Sequence, residues 1–82
     1  MSQDTFTTFD IFLASALITD GYTLLDMNLK PEHTKAQFVI RKEEGLEDSI
    51  EEFWDGTLTL NARRLFENLR MLKNRMYAMK NV

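Results

Sequence analysis

Ala62, Leu65, Leu69, Leu72, Met76 and Met79 are separated by steps of 3, 4, 3, 4 and 3 residues. At 3.6 residues per turn, that spacing puts all six on one side of an α-helix, as a heptad seam of almost three repeats. A helix of this length, roughly 27 Å, keeps its form in a globular chain only by burying the apolar stripe. Asn61 is placed to cap its first turn, and Leu60 before it to pack on Leu65 as a hydrophobic staple. Whatever else the chain builds must cover this seam, or a second copy must do so.

The material for that cover is limited. The chain has 82 residues, no cysteine, one proline and three glycines, which is one domain over residues 1–82 with its core at about 6–79. A hydrophobic fraction of 44% with six Phe, two Tyr and one Trp is too apolar for disorder. Upstream, Thr7-Thr8-Phe9-Asp10 reads as a capping box and Asp20-Gly21-Tyr22 as a glycine stop, so a first helix spans about 8–20. Phe9, Phe12, Leu13, Ala16 and Leu17 share one face of it while Ile11 and Ile18 lie nearly opposite, which predicts cover on two sides.

The period then changes to two. Leu25, Met27 and Leu29 alternate with Asp26, Asn28 and Lys30, and Ala36, Phe38 and Ile40 alternate with Gln37, Val39 and Arg41. Pro31 sets a turn between the two runs, which predicts an antiparallel hairpin whose apolar face must lie on helices. Leu46, Ile50, Phe53 and Trp54 define a short acidic helix ending at Asp55-Gly56, with Trp54 expected on its core stripe. The predicted class is α+β in the order helix, strand, strand, helix, helix: a two-stranded hairpin packed against three helices.

Charge divides along the chain. Residues 1–60 hold twelve of the thirteen acids and four of the ten bases, a net of -8, whereas residues 61–82 hold six bases and Glu67 alone, a net of +5. Around the last helix, taking Leu65 as zero, Arg63 and Arg70 fall near about 150°, Arg64 and Arg75 near about 270°, and Lys73 and Lys80 near about 70°. The bases ring the apolar seam, and the acidic second helix offers them a complement. Exposed pairs of that kind contribute at most ~0.5–1 kcal/mol each, so apolar packing decides.

Several chemistries lack their residues. His33 stands beside Pro31 and Glu32 in the predicted turn with neither a nucleophile nor further ligands near it in sequence. Ser2, Ser15 and Ser49 have no glycine elbow or paired base, and Gly21, Gly45 and Gly56 are scattered stops instead of a phosphate-cradling loop. Glu47, Glu51 and Asp55 share a flank that could hold a hard cation, but a solvated face would put them there anyway. No catalytic residue, cofactor or metal is assigned. The start of the chain has no basic leader, and the apolar run from Phe9 to Ile18 is too short and too polar to span a membrane. With no cysteine, the expected compartment is the cytoplasm.

Two stretches, Phe9-Asp10-Ile11-Phe12-Leu13-Ala14-Ser15-Ala16-Leu17 with Asp20-Gly21-Tyr22 and then Phe38-Val39-Ile40, carry a family resemblance. So do Ile50-Glu51-Glu52-Phe53-Trp54-Asp55-Gly56 and the run from Arg64 to Tyr77. Over about residues 6–79 the chain resembles a small family met in bacteria and phages, domain of unknown function family 5659. The matching positions are mostly apolar or turn residues, so the resemblance implies a fold and no activity.

The reading that follows is a non-catalytic protein-interaction or regulatory module. Its partner is a protein or a second copy in a homodimer, and its Met-rich helix end (Met71, Met76, Met79) is an adaptable contact surface or core filler. The alternative is a small nucleic-acid-binding factor using Arg63, Arg64, Arg70, Lys73 and Arg75, opposed at long range by the acidic body.

Overall fold

The computed structural model describes residues 4–29 and 35–80. The elements are β1 (Thr5–Thr8), α1 (Ile11–Thr19), β2 (Leu24–Asn28), β3 (Gln37–Arg41), α2 (Leu46–Asp55) and α3 (Ala62–Lys80). The class is α+β as expected, but the sheet has three antiparallel strands in the order β1-β3-β2 in place of a two-stranded hairpin. His33, Pro31 and Ser2 lie outside the described residues.

The additional strand comes from a segment that reads as a helix cap. Thr7 pairs with Val39 and Thr8 with Phe38 across the β1–β3 ladder. Asp10, not Thr7, caps α1: its Oδ1 accepts from the amides of Phe12 and Leu13 at 2.9 and 3.3 Å. The helix accordingly starts at Ile11 instead of near residue 8. Its stop is the expected one, with the Gly21 amide donating to the Ile18 carbonyl and the Tyr22 amide to that of Leu17.

β3 sits centrally and its alternation holds: Ala36, Phe38 and Ile40 are all buried. The partner β2 departs from strict alternation. A bulge between Leu24 and Asp26 puts Leu24 opposite Ile40 and Asp26 opposite Val39. Leu24 and Met27 therefore turn inward to the core while Leu25 is exposed.

α1 is buried from Leu13 through Leu17, five consecutive residues, because it packs on β1, β3, α2 and α3. One core cluster joins Ala14, Met27, Ala36, Phe38 and Leu72; the other joins Leu13, Leu17, Ile40 and Leu46. α2 and α3 each dock on α1. Leu72 is the one fully buried residue of α3, so the seam read from the sequence is anchored at its middle, half-covered at Leu65, Leu69, Met76 and Met79, and exposed at Ala62.

Candidate functional site

Polar groups inside the fold are used as fasteners. The Ser49 hydroxyl donates to Asp20 Oδ2 at 2.7 Å and lies 3.2 Å from the Tyr22 hydroxyl, tying α2 to the end of α1. Ser49 is 7% exposed, so this carboxylate–serine contact lies almost wholly between the two helices it joins. On the other side of α1, Asn68 donates to Thr19 Oγ1 at 2.9 Å and Thr19 donates in turn to the Ser15 carbonyl. Ser15 is fully buried with its hydroxyl on the Ile11 carbonyl. Among the described residues no three His, Asp or Glu side chains gather into a metal site, and no helix is long and apolar enough to cross a membrane.

The exposed features lie elsewhere. Phe12 is 58% and Trp54 62% exposed, and both line a cavity of ≈ 660 Å³ with Phe9, Ala36, Phe38 and Met76. Asp10 and Lys35 also line it. Trp54 is thus outside the core, contrary to its expected place on the stripe. The side of α2 that meets α1 is Leu46, Ser49, Ile50 and Phe53. Trp54 is about 100° past Phe53, beyond the edge of that stripe, and its ring meets Phe53 edge-on at a 4.9 Å centroid separation. A second groove of ≈ 430 Å³, lined by Phe12, Phe53, Leu58, Leu60, Leu65 and Phe66 among others, continues this apolar surface toward α3.

Of the residues singled out on the last helix, Arg63, Arg64, Arg70, Lys73 and Arg75 are all exposed. Met71, Met76 and Met79 are half-buried and pack their inner sides on the Phe38 cluster. Asn61 caps α3 as expected, accepting from the Arg64 amide at 2.9 Å. The acidic α2 does not neutralise the basic α3: among the described residues no ion pair joins them, and the α3 pair is Arg63 with Glu67, within the helix, at 3.3 Å. Both helices lie against α1, which leaves their charged sides to solvent.

What the sequence reading passed over is Phe66 and Tyr77, 63% and 54% exposed on α3. Projected from Leu65 they stand at about 100° and 120°, off the seam. That offset was the available signal.

No curated protein and no solved structure matches the chain. A family profile covers residues 3–78, nearly the whole fold just described. The chain therefore belongs to the family described as Domain of unknown function (DUF5659).

Proposed function

We propose that this protein is a non-catalytic binding module that works through protein contact, with a second copy of the chain on the aromatic face formed by Phe12, Trp54 and Phe9. The observation that carries this reading is the exposure of Phe12 and Trp54, 58% and 62%, in one cavity. Two large side chains beside each other in water are a cost that an interface removes. A second copy fits the charges that line this cavity. An isologous contact must complement itself, and this face carries both signs, Asp10 and Lys35, so each copy's lysine can meet the other's aspartate. The half-buried Met76 at the same cavity supplies adaptable packing. A cytoplasmic setting and a bacterial or phage origin accompany this reading, resting on the cysteine-free composition and on the resemblance.

Light scattering coupled to size exclusion at micromolar concentration tests it. The intact chain is expected to run as a dimer, and Phe12→Ala with Trp54→Ala as a folded monomer with unchanged far-UV circular dichroism. A monomeric intact chain across that range refutes the reading.

A further inference from the structure

α3 carries a surface that its packing does not use. Leu72 is buried and Leu65, Leu69, Met76 and Met79 are half-buried, yet Phe66 and Tyr77 face solvent. The bases are arranged around these two rings. At about 100° per residue, Arg63, Arg70, Lys73, Tyr77 and Lys80 all fall within about 60° of Phe66. Arg64 and Arg75 fall about 160–180° away. Phe66, Arg70, Lys73, Asn74 and Tyr77, with Leu69 between them, line a shallow groove of ≈ 340 Å³. Arg70, Lys73 and Lys80 have no ion pair among the described residues, and Arg63 shares its charge with Glu67.

We infer that this face of α3 binds single-stranded nucleic acid. Phe66 and Tyr77 are the stacking platforms, and Arg63, Arg70, Lys73 and Lys80 contact phosphates. The ligand class follows from the mixture. Bases alone would attract any polyanion, but exposed aromatic rings set among them offer a surface to something that carries both negative charge and flat π-faces. An acidic peptide has the first and lacks the second. A duplex has both but hides the π-faces in its stack, and two aromatic rings at the centre of the helix face make poor readers of hydrogen-bonding base edges. Eleven residues separate the rings, about 17 Å along the axis, which at a rise of about 3.4 Å matches about five stacked nucleotides. The acidic body opposes binding at long range but leaves the local charge of this face in place: the exposed acids Glu47, Glu51, Glu52 and Asp55 are on α2, and none pairs with α3. This groove and the proposed dimer cavity share no lining residue, although Phe12 and Phe66 both line the apolar groove between them.

The placement of Arg64 and Arg75 supplies an internal control of equal charge. Fluorescence anisotropy of the full chain with labelled oligothymidylate, the same-length duplex and polyglutamate, across a salt series, reads the outcome. The single strand is expected to bind at low salt, with log affinity falling against log salt at a slope of about -2 to -3 for three or four phosphates. Phe66→Ala with Tyr77→Ala weakens binding at least about tenfold. Arg70→Gln with Lys73→Gln weakens it and makes the slope shallower by about 1.4. Arg64→Gln with Arg75→Gln changes neither affinity nor slope appreciably. All six positions are exposed, so each variant's melting curve should overlay the parent. The inference falls if no single strand binds at low salt, if the aromatic pair is without effect, or if the Arg64/Arg75 pair costs as much as Arg70/Lys73. Equal affinity for the duplex, or polyglutamate binding that depends equally on the two rings, also overturns it.

Discussion

Replacing Leu72 by alanine tests how the long helix is held. Leu72 is fully buried, alone among α3 residues, and sits with Ala14, Met27, Ala36 and Phe38 between α1 and the sheet. Three buried carbons are lost, which at ~0.8 kcal/mol each is about 2.4 kcal/mol of transfer free energy. A cavity term adds to this. Met71, Met76 and Met79 pack beside the cluster, and their flexible thioethers can close part of the void, holding the total at about 3–4 kcal/mol. A domain of this size has about 4–12 kcal/mol in all. Urea unfolding is the assay, followed by far-UV ellipticity because Trp54 is 62% exposed and reports poorly on the core. With a slope of about 1–1.5 kcal/mol per molar, the midpoint falls by about 2–4 M, or the variant is unfolded without denaturant. Phe66→Ala, on the same helix but facing solvent, should stay within about 0.5 kcal/mol of the parent. A Leu72→Ala cost below about 1 kcal/mol would refute the docking described, and an equal cost at Phe66 would place the helix in the wrong rotation.

Two further predictions separate local readings. Asp10→Ala should cost about 1 kcal/mol through the lost cap, while Thr7→Ala, in an exposed strand position, should cost less than half as much; thermal melts of the two decide which residue starts α1. Gly45→Ala is expected to destabilise by at least about 1–2 kcal/mol, since Gly45 has φ +90° and an added Cβ would lie 3.0 Å from the Tyr22 hydroxyl; an unchanged melting temperature would mean the α1–α2 contact is looser than described.

Much of the fold was legible in periodicity. The seam of α3, its Asn61 cap, the Ala36-Phe38-Ile40 alternation and the glycine ends of α1 and α2 all stand where local spacing and turn chemistry put them. Those features depend on side-chain period and backbone conformation, which act within a few residues. β1 escaped notice because Thr-Phe-Thr-Thr carries one large apolar residue, and threonine serves caps and strands alike. Only a neighbour, β3, selects the strand. The same dependence on partners displaced Leu25 through the β2 bulge and left Trp54 outside the stripe it adjoins.

The candidate surfaces divide in the same way. Composition by segment established that the last helix is basic and the rest acidic. Helical spacing decides which bases share a side with Phe66 and Tyr77, but not which side stays exposed, because a helix bearing bases all round presents several equivalent faces until one is docked. Packing of Leu72 and its neighbours on α1 and the sheet fixes that rotation. It leaves Phe66 and Tyr77 exposed to solvent with Arg63, Arg70, Lys73 and Lys80 on their side and Arg64 and Arg75 on the far flank, and among the described residues no ion pair joins α2 to α3. The period and cap of the helix are local properties of its residues; its stability and the side it offers to a ligand are set by what covers the opposite side, and only the tertiary structure supplies that cover.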